Sequence, residues 1–440
     1  MHYDLIVIGM GLSGLMAAKT AAATGQKVLI LGKGMGSLCL FSNTIDVLGE
    51  FPTAMKPVRN STGTSNSAGI FLGSHPVAEQ GATISDGVKM TEALSQWIEG
   101  HPLHPYSKVG IKNLEQALSS FLALFPPSYS FQTIGNRNCL LPTGAGTLRP
   151  TYLVPSTMVG GISVEERGTL IVGFKGFKDF YAHYVADQLR CRGINLEFTD
   201  LLNQELTATA LARLMEKKSF RENMGREIKK QLQGETRVGL PAVLGIYDPA
   251  RVKDDLEATV GAKVFEIPIL PPSIPGVRIF NFFKEWLIRK GVTFLLGYSV
   301  SKALLRGKRC EGIEVLHPPV ISSYSADRYI LATGRFIGGG LKADDEKVVE
   351  PIFNLPLSQP PSREDWFGDT FFSSLPHPIQ GVGILTDASF EPVDAGGETI
   401  LENVWAAGSI LAHHHCIDEK SKEGIEISTG YMATKNALAT

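Results

Sequence analysis

The chain has 440 residues, 43% hydrophobic and 20% charged, with a formal net charge of −2. That length exceeds one ordinary core and implies two or three domains of globular composition. A near-neutral balance supplies no global basic field, which argues against nucleic acid as a partner and leaves any anionic ligand to a local site.

Residues Tyr3 to Ile8 read as a buried parallel strand, followed by Gly9-Met10-Gly11-Leu12-Ser13-Gly14 and an alanine-rich helix to about Thr24. Gly25 closes that helix, and Lys27 to Leu31 form the next strand. Asp4 and the lack of a basic flank argue that this apolar start is a strand and not a leader. Pro52 to Ser74, rich in Ser, Thr, Asn, Gly and Pro, read as a loop or excursion. Helices are expected over Asp86 to Glu99 and Asn113 to Leu124, the second stopped by Phe125-Pro126-Pro127. Leu201 to Leu232 read as mostly helical, and the charge run from Arg221 to Lys230 reads as a solvated face. A second α/β pattern begins near Val277, with a helix over Phe280 to Lys290 and strands over Val292 to Leu296, Cys310 to Leu316 and Ala326 to Ala332. Val404 to Gly408 give a last strand, and a helix is expected from about Glu426 to Leu438. No run approaches the ~18 apolar residues of a spanning helix, so membrane contact is expected to be peripheral.

The spacing Gly9-x-Gly11-x-x-Gly14, after a strand and opening a helix, is a dinucleotide fingerprint in its proper context. Gly9 permits the turn, Gly11 lets backbone approach a pyrophosphate, and Gly14 allows close helix–strand packing. The helix start adds amides and a partial positive charge. A carboxylate that would hold the adenosine ribose is missing: the second strand ends Leu31-Gly32-Lys33-Gly34. Lys33 is a candidate for a phosphorylated ribose or an ordinary exposed lysine.

The returning segments Ala332-Thr333-Gly334 and Asn403-Val404-Trp405-Ala406-Ala407-Gly408-Ser409 lie far downstream. That layout resembles the glutathione-reductase-like flavoproteins, whose flavin domain is assembled from distant segments. The resemblance implies an α/β fold: a Rossmann-like FAD/NAD(P)-binding domain over 1–80, 276–340 and 395–440, with an inserted α+β substrate or cap domain over 81–275 and 341–394. It also implies a terminal helix, near Gly424 to Gly430 and including Ser428, whose positive end faces the flavin. Ser409 stands where that superfamily commonly has an acid for a ribityl hydroxyl.

Several further segments resemble the B-subunit family of the anaerobic glycerol-3-phosphate dehydrogenases. They are Leu38 to Leu48, Gly146 to Thr151, Gly239 to Gly245, Leu270 to Gly276 and Ala332 to Leu341, and they occur in order along the chain. The resemblance implies a subunit that oxidises sn-glycerol 3-phosphate to dihydroxyacetone phosphate, with FMN as cofactor and FAD as the alternative. Its implied partners are a second flavoprotein subunit and an iron–sulfur, membrane-attached subunit feeding a quinone, at the cytoplasmic face of the membrane. The five cysteines, Cys39, Cys139, Cys191, Cys310 and Cys416, are scattered without a C-x-x-C pair. That excludes the usual zinc signature and local iron–sulfur clusters on this chain and fits a reducing compartment.

Flavin oxidation of an alcohol needs a base for the hydroxyl proton. Within His413-His414-His415, His413 and His414 are the candidates for that base; adjacent histidines are a poor metal site, so no metal is expected. Arg149 and Arg335 are candidates for the substrate phosphate, since guanidinium offers a two-pronged donor. Ser42 and Thr44 are candidates to line the flavin ring. Three other functions stay open: a stand-alone oxidase or fumarate-reductase-like enzyme, a non-catalytic flavin relay, and a nicotinamide-dependent dehydrogenase.

Overall fold

The computed structural model describes residues 1–51, 82–83, 89–164, 168–198, 206–370 and 376–440. The expected excursion over 52–74 and the first residues of the expected helices at 86 and 201 lie outside them. β1 (His2–Ile8) and β2 (Val28–Gly32) flank α1 (Leu12–Ala22), every residue of which is buried. Small side chains, Ala17, Ala18, Ala21 and Ala22 among them, let this helix lie close on the sheet. Near-continuous burial along β1 marks a parallel strand covered on both faces.

α2 (Met90–Gly100), α3 (Pro105–Val109) and α4 (Ile111–Leu122) follow, then a hairpin of β3 (Cys139–Pro142) and β4 (Leu148–Thr151). Next comes a parallel α/β unit that the sequence pattern does not reveal. Its strands are β5 (Thr169–Phe174), β6 (Arg192–Leu196), β7 (Arg237–Pro241) and β8 (Lys263–Ile267), in the order β6-β5-β7-β8. Its helices are α5 (Ala182–Gln188), α6 (Ala208–Met215), α7 (Lys218–Gln231) and α8 (Pro249–Val260). The unit has its own core, including Ile171, Val172, Leu240 and Phe265. The helical stretch expected up to Leu232 is thus two helices, divided at Lys217. Arg221 is not on a solvated face: it is buried, donates to Met215 O and Glu216 O at 2.8 Å, and pairs with Asp255.

α9 (Ile274–Arg289) starts six residues earlier than expected. Ser273 caps it by accepting from Gly276 N at 3.2 Å, and Pro275 sits in the first turn, where a missing N–H costs nothing. Arg278, fully buried on α9, makes a two-pronged ion pair with the equally buried Glu266 on β8 (2.7 and 2.8 Å). This pair rivets the second unit to the first. The start of α9 also seats the segment after β2: Asn43 Nδ2 donates to Ser273 Oγ at 2.9 Å and to Leu38 O at 2.8 Å.

The main sheet is completed by β9 (Thr293–Leu296), β10 (Ser299–Arg306), β11 (Arg309–His317), β12 (Val320–Leu331) and β13 (Val404–Ala406), before the final helix α10 (Lys422–Ala439). Its order is β9-β2-β1-β12-β11-β10, with β13 also on β12. β12 pairs antiparallel with β11 over Val320 to Tyr324, then parallel with β1 from Ser325 to Leu331. α10 packs on α1, α3 and α4. Among the described residues no helix is long and apolar enough to cross a membrane.

Candidate functional site

A cavity of about 1150 Å³ opens at the carboxyl ends of β1, β2 and β12, where open parallel sheets bind ligands. Its volume is at or above the upper end of the ~300–1,000 Å³ of ordinary small-molecule pockets. Chain geometry around β1 explains it. Gly9 takes φ +119°, and a Cβ there would lie 2.2 Å from Ala332 O on the returning strand. A Cβ at Gly14 would lie 2.0 Å from Gly9 O, so α1 can approach the turn only with glycine there. Gly11 is the N-cap of α1, and no side chain caps that helix end. Its first-turn amides are therefore directed at the cavity wall formed by Gly9 to Ser13.

The second wall is the loop after β2. Gly32 accommodates Met10, whose Cγ and amide nitrogen would lie 3.0 Å from a Cβ at Gly32; that contact occupies the place of the missing acid. Lys33, Met35, Ser37, Cys39 and Phe41 continue the lining. The third wall holds Thr333, Gly334, Arg335 and Gln380, and the fourth holds Gly408, Ser409, His415, Cys416, Lys422 and Glu426. Lys422 sits in the first turn of α10, whose N-terminus also lacks a side-chain cap. Two helix starts, those of α1 and α10, thus converge on one cavity with their partial positive charges.

Several buried polar atoms in this lining have no partner among the described residues: Ser13 Oγ, Thr333 Oγ1, Arg335 Nε, Gln380 Oε1 and His415 Nδ1. Buried polar groups are normally satisfied, so such a cluster around one cavity marks capacity for a polar ligand. A flavin nucleotide fits this chemistry, with phosphate for the α1 amides and ring carbonyls and nitrogens for the side-chain donors and acceptors.

Of the anticipated site residues, Gly9, Gly11, Gly32, Lys33, Gly334, Arg335, Gly408 and Ser409 line the cavity. Gly14 lies one layer behind. Ser42 and Thr44 are not in the lining; Thr44 Oγ1 instead donates to Asp46 Oδ1 at 3.2 Å. Arg149 is also elsewhere: its Nε donates to the buried Asp46 Oδ2 at 2.9 Å. Gly424 is packed under Tyr106 and the Asp46 carbonyl, and Ser428 is buried a turn further along α10. Arg335 spends its Nη atoms on the carbonyls of Gln380, Leu411 and His414, which leaves only Nε for a ligand.

The three histidines diverge. His413 adopts φ +64°, which turns the chain, and neither it nor His414 lines the cavity. His414 is fully buried, and desolvation by burial pushes its ring well below the usual histidine range. His415 does reach the cavity. Burial lowers its ring too; nearby Glu419 opposes that shift and the Arg335 charge adds to it, so a neutral imidazole faces the ligand space. Behind it Glu419 accepts from His415 N at 2.8 Å and Ser421 Oγ at 2.7 Å, and lies 3.3 Å from His104 Nε2. Lys422, Glu426 and His415 were missed in the sequence, where Lys422 and Glu426 look like solvated helix residues.

The chain matches the family described as FAD binding domain over residues 4–424. It is 30% identical to a Halobacterium salinarum protein named as the probable B-subunit of anaerobic glycerol-3-phosphate dehydrogenase, across 98% of this chain and 96% of that one. Proteins from Vibrio cholerae and Aliivibrio fischeri, named as the B-subunit of the same dehydrogenase, are 28% and 27% identical, each across 100% of this chain and 97% and 96% of theirs.

Proposed function

The chain belongs to the FAD binding domain family and, within it, to the B-subunit proteins of the anaerobic glycerol-3-phosphate dehydrogenases, and from that premise we propose that it is a flavin-bearing subunit oxidising sn-glycerol 3-phosphate to dihydroxyacetone phosphate. The observation that supports this reading is the cavity itself: two helix starts without side-chain caps and a ring of polar atoms unpartnered among the described residues, around a space of nucleotide size.

A bound flavin supplies the hydride acceptor. The α1 amides from Gly11 to Ser13 would hold its phosphate, and the ion-paired Lys422 and Glu426 at the start of α10 would offer it a donor and an acceptor from the opposite wall. His415, neutral and lining the cavity, takes the hydroxyl proton, while His413 and His414 shape the turn that delivers it. Arg335 Nε is the donor left for an anionic substrate group. The flavin domain comprises 1–80, 276–340 and 395–440, and the remainder forms the substrate or cap domain.

FMN is the cofactor we favour, because Gly32 lacks the ribose carboxylate. A second reading, FAD, is supported by the lining that continues past the glycine turn to Tyr298, Val300 and Ser301. Electrons leave to a partner flavoprotein and an iron–sulfur subunit at the cytoplasmic membrane face, and then to quinone. The test is to purify the chain alone and with its partners, identify the released cofactor by mass, and add sn-glycerol 3-phosphate. Bleaching of the isolated chain supports catalysis here. Bleaching only with a partner present favours the relay reading, and a colourless protein sinks the proposal.

A further inference from the structure

We propose that Glu423 is a proton store for the flavin pocket, taking a proton from solvent when electrons enter the cavity and releasing it when they leave. This rests on the flavin reading above. Glu423 lies in the first turn of α10 and is 3% exposed. Its Oε1 lies 3.6 Å from Lys422 Nζ, and its Oε2 has no hydrogen-bond partner among the described residues. Lys422 links it to the cavity: its Nζ stands 4.5 Å from the Phe41 ring centroid and 2.9 Å from Glu426 Oε2, and all three residues line the cavity.

The surrounding charges identify Glu423 as the odd member. From the segment after β2, Asp46 approaches the same turn, with Gly424 N donating to Asp46 O at 2.9 Å. Arg149, from β4, holds Asp46. Tyr106, from α3, places its hydroxyl 2.6 Å from Val47 O and 3.2 Å from Ser421 O, and it adds no charge because burial pushes its ionisation well above the usual tyrosine range. Among the described residues, three carboxylates, Asp46, Glu423 and Glu426, therefore face two cations, Lys422 and Arg149. Arg149 neutralises Asp46 and Lys422 neutralises Glu426, so Glu423 is left over. A buried carboxylate without its own counter-charge is driven toward the neutral form. Burial pushes the Glu423 carboxyl up to about 7; Lys422 and, more weakly, Arg149 oppose this, while Asp46 and Glu426 add to it.

Two electrons and one proton entering the ring leave the cavity with one additional negative charge. In a poorly solvated site that charge raises the proton affinity of a nearby carboxylate. One further proton, drawn from bulk water, then binds Glu423 Oε2, so charge is balanced, and reoxidation returns it. The one bond that forms in the protein is the Glu423 Oε2–H bond, and it breaks again when the proton returns to water.

The experiment compares wild type, Glu423→Gln and Glu423→Asp, the amide being a shape match for the protonated acid. With flavin bound, the reduction potential is followed from about pH 6 to 9; above pH 7 the wild-type potential is expected to fall about twice as steeply as that of Glu423→Gln, with the aspartate keeping the steep limb. On flavin-stripped protein, acid-minus-base infrared difference spectra should show a protonated-carboxyl band that Glu423→Gln lacks. Parallel potential–pH lines for wild type and Glu423→Gln, or an infrared band unchanged by the substitution, overturn the proton store while leaving the flavin function intact. Failure to bind either flavin nucleotide overturns the functional reading, and the store with it.

Discussion

Replacing Arg278 by Met tests whether the buried ion pair holds the cavity wall in place. Arg278 and Glu266 are both fully buried, and the guanidinium makes three bonds, two to the carboxylate and one to Gly245 O at 2.8 Å. Removing one partner of such a pair costs about 3–5 kcal/mol, because the other charge stays buried without compensation. The double variant Arg278→Met/Glu266→Leu removes the stranded charge and should recover part of this loss. Recovery is incomplete because Leu244 N, which donates to Glu266 at 2.8 Å, and Gly245 O are left unmet, at about 1–3 kcal/mol each. Burial alone would raise the Glu266 carboxyl, yet Arg278 outweighs it and holds the group below its usual value. The pair therefore contributes fully above the unfolded value of about 4.3 and loses its contribution as pH falls through the folded one. Urea unfolding at pH 7 and in acid, with amide exchange read on β8, measures this. Because α9 seats Leu38 and Asn43, flavin should also dissociate faster from Arg278→Met. A single variant within about 1 kcal/mol of wild type, or a double variant less stable than the single, would refute the reasoning.

Gly14→Val places atoms against Gly9 O, and overpacking of about 1–3 kcal/mol should weaken flavin binding roughly 10- to 100-fold, measured by fluorescence titration. Glu419→Gln should cost about 3 kcal/mol at pH 7: burial would raise this carboxyl, but hydrogen bonding and charge from His104 hold it at about 2. That contribution is complete above about 4.3 and vanishes toward pH 2, so the melting curves of variant and wild type should converge in acid. Burial pushes the Cys416 thiol up to about 11, so maleimide labelling at mildly alkaline pH should be slow there and slower still with flavin in the cavity. Rapid labelling indifferent to flavin would contradict this placement.

The nucleotide-binding half was readable because its constraints are local. Gly9, Gly11 and Gly14 sit at a fixed spacing within one turn, although the contact that forbids a side chain at Gly9 comes from Ala332 on the returning strand, and the strand before them carries an unbroken apolar run. The second parallel unit was not readable. Its strands are short and lack alternation, and Gly173, Gly239 and Pro241 interrupt the apolar signal. Sequence pattern starts α10 four residues late because Lys422 and Glu423 resemble solvent-facing residues, whereas both are buried in a charge cluster. Arg149 looks available for phosphate because its partner Asp46 lies 103 positions away in sequence. Nor could spacing choose among three adjacent histidines; the left-handed turn at His413 does that.

The last helix has a consequence for how the protein is made. Lys422 and Glu426 on α10 are translated roughly 400 residues after the glycine turn they face across the cavity. A nascent chain cannot close this space until α10 has left the ribosome, so loading of the prosthetic group waits for that helix. A truncated product lacking α10 would accumulate without colour.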